Sequence, residues 1–173
     1  SGDAVWTIRR NYTVDTEGKR AAFRSIAQDF ERGTGFETIG TARAASEQAS
    51  AATGRTMQIT GVTRRSSVTG DTGQLVVEFT WTEFARKSGT YLYVDDVFLT
   101  PNGTWFPTLG ANQTLTIVPP RSYDLFSASP PGYSVTNASL RWEGDQDGTF
   151  EVSQPSVVYE RSGNATSTTT TTP

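Results

Sequence analysis

Apolar residues recur every three to four positions in the first third of the chain. After a strand-like stretch at residues 4–14, Phe23, Ile26, Ala27 and Phe30 have the spacing that places side chains on one face of an α-helix. A second segment carries a thinner apolar face, made of Ile39, Ala42, Ala45, Ala49 and Ala52. A glycine, Gly33 or Gly54, follows each segment, as is common at helix ends. The pattern therefore predicts one strand and then two amphipathic helices.

From Arg55 onward the apolar period changes to two, which is typical of strands with one buried face. The clearest case places Leu75, Val77, Phe79 and Trp81 on one side of a strand. Further strands, separated by Pro and Gly, are predicted within residues 55–65, 89–99, 113–120, 133–144 and 149–161. The predicted fold class is α+β, with a mainly antiparallel sheet or sandwich of short strands after the helices. We expect one globular ectodomain over residues 1–161 and a Ser/Thr-rich stalk or linker over residues 162–173.

Every asparagine in the chain lies in an Asn-x-Ser/Thr sequon: Asn11, Asn102, Asn112, Asn137 and Asn164. Five matches out of five would arise by chance in roughly one in a thousand sequences of this composition. An alternative is that these asparagines only mark turns, but turn chemistry does not explain the Ser or Thr two positions later. The sequons predict N-linked glycans on the surface of an exported protein, with all five side chains exposed. Asn102 is expected at the tip of a loop, because Pro-Asn-Gly favours a turn.

Composition narrows the function further. The chain has no cysteine and no histidine, so it lacks thiol chemistry and the commonest general base near neutral pH. Its net charge of -3 is the opposite of what phosphate binding needs, so we expect no nucleic-acid partner. Thirteen arginines against two lysines are consistent with a GC-rich genome or with a high-salt environment. These features predict a non-enzymatic protein.

Acidic residues offer one candidate metal site. Glu143, Asp145, Asp147 and Glu151 approximate the spacing of a calcium-binding loop, although Gln154 stands where a bidentate Glu is needed. The alternative is a polar hairpin turn, since Asp-Gly is a strong hairpin signal. No cofactor other than this possible Ca²⁺ is predicted.

The other carboxylates and most of the tryptophans do not indicate a catalytic or binding site. Asp95 and Asp96 are adjacent in a strand-like run, which would point them to opposite faces and makes them a poor catalytic pair. Trp6, Trp81 and Trp142 fit strand patterns and are expected in the core. Trp105 and Phe106 lie in a predicted loop and are candidate contact residues.

Four segments carry a resemblance to a known family: "ATGRTMQI" at residues 52–59, "FTWTEFA" at 79–85, "LRWEG" at 140–144 and "VVYER" at 157–161. Together with the order of the elements, they resemble haloarchaeal exported surface domains of unknown activity. The resemblance implies a domain attached to a membrane anchor, in some members joined to a cytoplasmic winged-helix regulator. It implies no catalytic residues. This chain ends in a threonine tract, so membrane attachment would require a segment beyond Pro173.

Two main hypotheses follow. The first is a glycosylated extracellular domain with a structural or self-assembly role in a prokaryotic, haloarchaeal-type envelope or surface filament, with protein–protein contacts at the cell surface. The alternative is a ligand-sensing ectodomain of a membrane-anchored regulator. A carbohydrate-active protein is the third hypothesis.

Overall fold

The computed structural model describes residues 2–34, 38–106, 109–144 and 155–163. An N-terminal strand is followed by two helices and then by mostly antiparallel strands, so the predicted α+β order is confirmed. The chain divides into two compact units. Unit 1 is Ser1–Arg86 with Asp96–Trp105, and unit 2 is Lys87–Asp95 with Phe106–Pro173.

The helices are α1 (Glu17–Glu31) and α2 (Thr38–Thr53), and a 3-10 turn spans Asp96–Phe98. The strands, in chain order, are β1 (Ala4–Thr13), β2 (Ile59–Thr69), β3 (Thr72–Trp81), β4 (Arg86–Ser88), β5 (Tyr91–Val94), β6 (Leu99–Thr100), β7 (Gly103–Thr104), β8 (Thr114–Ile117), β9 (Tyr123–Ser129), β10 (Ser134–Thr136), β11 (Ser139–Glu143) and β12 (Ser156–Arg161). Within the described ranges, neither helix is long and apolar enough to cross a membrane.

Unit 1 is organised by a three-stranded sheet in the order β1-β3-β2. The predicted alternation along β3 is confirmed, because Leu75, Val77, Phe79 and Trp81 are all buried. Val76 is buried as well, although it belongs to the opposite face. Arg9 and Arg65 lie opposite Val76 on the two neighbouring strands, and long arginine stems commonly cover apolar surface in this way.

Both helices end where the sequence predicts. Gly33 and Gly54 adopt φ of 83° and 71°, in the left-handed region that favours glycine. The apolar face of α1 consists of Phe23, Ala27 and Phe30. The prediction was wrong for Ile26, which is 42% exposed because it lies at the border of this narrow stripe.

Helix α2 differs from its predicted face at two positions. Its buried residues include Ile39 and the alanines at 42, 45 and 49, as predicted. Ala52 is exposed near the C-terminal end of the helix, and Ser46 is buried instead. The Ser46 hydroxyl donates a 2.8 Å hydrogen bond to the backbone carbonyl of Arg43, which satisfies the buried polar group locally.

The segment predicted as one strand over residues 89–99 is interrupted. Strand β5 ends at Val94, and Asp96 begins the 3-10 turn, so the prediction that Asp95 and Asp96 share a strand was wrong. Asp96 forms an ion pair with the partly buried Arg55, and the Arg86 Nε atom lies 3.9 Å from its other carboxylate oxygen. This charge pairing favours the turn over a continued strand.

Unit 2 contains a four-stranded sheet in the order β4-β5-β12-β9 and a three-stranded sheet in the order β10-β11-β8. Residues 133–144 were predicted as one strand but form a hairpin, because Asn137 and Ala138 both adopt positive φ (50° and 62°) between β10 and β11. Positive φ at both central residues is characteristic of a type I′ turn. Strand β9 was not predicted.

Replacing Gly73 by Ala is expected to destabilise the protein by about 1–3 kcal/mol. A Cβ at this position in β3 would lie 2.8 Å from ring atoms of the buried Phe23. Urea denaturation followed by circular dichroism measures the change. Gly18→Ala in α1 is the matched control, since its Cβ would meet nothing within 4 Å and alanine favours a helix. Equal stability of the two variants would contradict the packing of α1 on β3.

Asp96→Asn is expected to lower the free energy of unfolding by roughly 1–3 kcal/mol, because it leaves the partly buried guanidinium of Arg55 without its counter-charge. The side chains of Arg55 and Asp96 are only 18% and 27% exposed. Asp29→Asn is the control, since the Arg32–Asp29 pair is 66% and 53% exposed and should contribute less than about 1 kcal/mol. A loss no larger for Asp96→Asn than for this control would show that the pair does not stabilise unit 1.

Candidate functional site

Four of the five sequon asparagines lie in the part of the chain that the structure describes, and all four are exposed, as predicted. Asn11 is in β1, and its side-chain oxygen accepts a 2.9 Å hydrogen bond from Gln74 Nε2. Asn102 lies in the turn between β6 and β7, which confirms its predicted loop-tip position. Asn112 and Asn137 occupy turns with φ of 62° and 50°. Asn164 lies outside the described residues.

The candidate calcium ligands fall mostly outside the described ranges. Glu143 is exposed in β11, and its carboxylate accepts a 2.6 Å hydrogen bond from Arg141 Nε. Asp145, Asp147 and Glu151 are not among the described residues. Within the described ranges, no group of three or more Asp and Glu side chains is arranged to hold a metal ion.

Trp105 packs with other aromatic side chains of unit 1. Its ring stacks on Trp81 at a centroid distance of 5.4 Å and lies 6.1 Å from Trp6. Its indole N–H donates a 2.8 Å hydrogen bond to the Val97 carbonyl. Trp105 and Phe106 are each half-buried. Trp81 and Trp142 are core residues, as predicted, whereas Trp6 is half-buried.

One face of the four-stranded sheet in unit 2 presents aromatic rings and carboxylates to solvent. We call it the Tyr–Phe face and define it by Tyr91, Tyr93, Asp124, Phe126 and Glu160. Phe126 is 61% exposed, Asp124 is exposed and the other three residues are partly exposed. The opposite face of the sheet is the buried one, formed by Leu92, Val94, Tyr123, Val157 and Tyr159.

The register of three strands brings these side chains together. Glu160 in the middle strand β12 lies opposite Tyr91 of β5 on one side and opposite Asp124 of β9 on the other. The Tyr91 ring lies 6.2 Å from Tyr93 and 5.3 Å from Phe126, as centroid distances. Because Phe126 and Tyr91 are two strands apart, their rings meet across β12, on which Glu160 lies.

A β-bulge in β9 places two consecutive residues, Phe126 and Ser127, on the exposed face. Val158 pairs with Ser127 while the next residue, Tyr159, pairs with Leu125, which leaves Phe126 as an extra residue in β9. A bulge breaks the alternation of the strand and redirects one side chain. Phe126, two residues after the exposed Asp124, lies on the exposed face, and the bulge places the next residue, Ser127, on the same side.

The two carboxylates of this face are held by hydroxyl groups. The Ser162 hydroxyl donates a 2.7 Å hydrogen bond to Asp124, and the Tyr91 hydroxyl is hydrogen-bonded to Glu160. The negative charge of Glu160 raises the pKa of the Tyr91 phenol, helped by desolvation and by this hydrogen bond. Among the residues that the structure describes, no arginine or lysine forms an ion pair with Asp124 or Glu160.

The Tyr–Phe face was not predicted from the sequence. The alternation of Tyr91 and Tyr93 in "TYLYV" is a visible signal, since it places two aromatic rings on the same side of one strand. The contributions of Asp124, Phe126 and Glu160 depend on pairing between distant segments and carry no local signal.

Unit 1 contains a separate open groove of about 240 Å³ between α1 and β2. At one side of it, Glu31 accepts hydrogen bonds from the backbone N–H and the hydroxyl of Ser66, at 3.1 and 2.6 Å. The carboxylate thereby occupies part of the free edge of β2, which is one way in which proteins protect an edge strand.

Comparison with known proteins gives one match. A family model described as a domain of unknown function, DUF7345, matches residues 1–123. No curated protein and no solved structure matches the chain.

Glu160→Gln is expected to lower the pKa of Tyr91 toward its ordinary value of about 10, because the neighbouring negative charge is removed. The phenol can be followed by NMR of its ring carbons during an alkaline titration. In the native protein, the pKa of Tyr91 is higher in the folded state than in the unfolded state. The protonated phenol therefore contributes its full stability below about pH 10, and this contribution is lost as the pH rises through the folded-state pKa. Glu143→Gln is the control and should leave Tyr91 unchanged. An unchanged Tyr91 pKa in Glu160→Gln would contradict the contact.

Proposed function

Since the chain belongs to the family described as a domain of unknown function, DUF7345, we propose a function from its own residues. It is a non-enzymatic, N-glycosylated extracellular surface domain with a structural or self-assembly role in a prokaryotic, haloarchaeal-type envelope. The observation that supports this proposal best is the division of the surface. The four described sequon asparagines are all exposed, while β5, β9 and β12, which form the Tyr–Phe face, contain no sequon.

Asn11 and Asn102 give the sharpest support for glycosylation. A glycan is attached to the amide nitrogen of asparagine, so the hydrogen bond that Asn11 accepts through its side-chain oxygen leaves the attachment atom available. Asn102 projects from a two-residue hairpin connection. Neither residue has the positive φ that would by itself favour asparagine.

Turn geometry gives another reason for asparagine at positions 112 and 137. Their positive φ angles are more accessible to asparagine than to most residues. It does not explain Thr114 or Ser139 two positions later, which complete the sequons. These two sites therefore support the proposal less strongly than Asn11 and Asn102.

The Tyr–Phe face is one of the surfaces on which protein contacts remain possible if the asparagines carry glycans. The Tyr–Phe face has the exposed aromatic residues that are enriched at protein interfaces. An envelope domain that is covered by glycans elsewhere would use this face for assembly. The Arg-rich, Lys-poor composition and the resemblance to haloarchaeal surface domains support the proposed origin.

A carbohydrate-active function is a second candidate, supported by one observation. Asp124 and Glu160 lie directly opposite each other beside aromatic rings, and cross-strand partners of this kind have Cβ atoms about 5 Å apart. Glycosidases cleave their substrates with a pair of carboxyl groups that flank the scissile bond. However, Asp124 is exposed on an open sheet face, whereas a glycosidase acid is kept protonated by a secluded environment.

Intact-mass measurement and glycopeptide mapping of protein from its native source test the proposal. We expect glycans at Asn11 and Asn102 at least, because both are exposed in sequons. The same polypeptide produced in a cytoplasm without glycosylation enzymes is the mass control. Unmodified asparagine at most of the sites would refute the proposal, and hydrolysis of a glycoside that is lost in Glu160→Gln would favour the second candidate.

A further inference from the structure

We propose that the Tyr–Phe face binds arginine side chains of an extended segment of a different, partner polypeptide. This inference rests on the proposed function, because it names the contact through which an envelope domain would assemble. It depends on three features of unit 2: exposed aromatic rings, two carboxylates that pair with no cation among the described residues, and the position of β9 at the end of the described strand order.

The arrangement of the rings suits a cation better than a flat sugar. The ring planes of Tyr91 and Tyr93 are inclined by 52°, and those of Tyr91 and Phe126 by 71°. The rings therefore do not form a single plane on which a polysaccharide would lie. The negative face of an aromatic ring attracts cations. The planar guanidinium group of arginine can also stack on the ring, which the ammonium group of lysine cannot do.

The carboxylates supply charge complementarity. Glu160 and Asp124 are directly opposite each other on paired strands, where like charges are destabilising. Their described hydrogen-bond donors, the hydroxyls of Tyr91 and Ser162, are uncharged. A guanidinium group placed between the carboxylates would relieve the repulsion, because it can donate hydrogen bonds to both of them.

A polypeptide fits this face better than a metal ion or a small amine. The face offers two carboxylates, and the described residues contain no larger acidic group that could complete a metal site. Strand β9, which carries Asp124 and Phe126, is the last strand in the order β4-β5-β12-β9. No strand in the described part of the chain pairs with its outer edge, so this edge can pair with the main chain of an extended segment, while alternate side chains of that segment reach the sheet face.

Isothermal titration of the full chain with an acetylated, amidated (Arg-Thr)₄ peptide tests the inference. We expect binding of this peptide, weaker binding of (Lys-Thr)₄ and no binding of (Glu-Thr)₄. The double variant Asp124→Asn/Glu160→Gln should weaken the arginine peptide at least about tenfold, since charge pairs at interfaces commonly contribute that much. Phe126→Ser should weaken it several-fold through loss of the ring contact.

Two control variants change similar groups elsewhere. Glu47→Gln removes an exposed carboxylate from α2, and Val118→Ser removes a side chain that is 71% exposed in unit 2. Both should bind the arginine peptide like the native chain. Circular dichroism confirms that each variant is folded before titration.

Three outcomes would overturn the inference. They are absence of arginine-peptide binding, equal binding by the native chain and the double variant, and oligosaccharide binding or self-association that is lost in the double variant. The titration uses unglycosylated protein, so it is independent of the glycopeptide mapping. If the arginine peptide does not bind but the sequons carry glycans, the surface-domain proposal stands and the binding inference is refuted. If the peptide binds but the sequons are unmodified, the surface-domain proposal is refuted and the binding inference stands.

Discussion

The pairing of β12 with a strand on each side is the constraint on which the Tyr–Phe face depends. Tyr91, Asp124 and Glu160 are distant in sequence and become neighbours only through the antiparallel register of β5, β12 and β9. Val157 and Tyr159 fix this register, because both are buried on the other face of β12. A slip of one residue would bury Glu160 and expose Tyr159. The core of unit 2 therefore determines which side chains meet solvent.

On the exposed face of the sheet in unit 1, polar side chains of neighbouring strands form hydrogen bonds with each other. On the outer side of β3, Gln74 donates a hydrogen bond to Asn11, and Glu78 accepts one from Thr7. The carboxylate in that row has neutral neighbours on both sides, Thr7 and Thr63. In unit 2, by contrast, the carboxylate of the middle strand faces a second carboxylate. The two sheets thus expose different chemistry. A bound cation would stabilise only the paired carboxylates of the sheet in unit 2.

The sequence predicted those parts of the fold that have a local physical cause. Helix α1 follows from the spacing of Phe23, Ala27 and Phe30, and its end follows from a glycine with positive φ. Strand β9 was missed because its bulge interrupts the alternation on which strand prediction relies. The hairpin at Asn137 was missed because Asn-Ala is a weaker turn signal than Asn-Gly. The face itself requires pairing between segments, which no local pattern records.

Because of the bulge, the side chain at position 126 can affect what the face contacts without affecting the strand pairing that stabilises the sheet. An extra residue in a strand contributes no pair to the ladder, and the pairs on either side of it, Val158 with Ser127 and Tyr159 with Leu125, do not depend on its side chain. Selection can therefore change this one residue while the pairing of the sheet is preserved. A single substitution at position 126 could therefore change what this sheet contacts, without compensating changes in the core of unit 2.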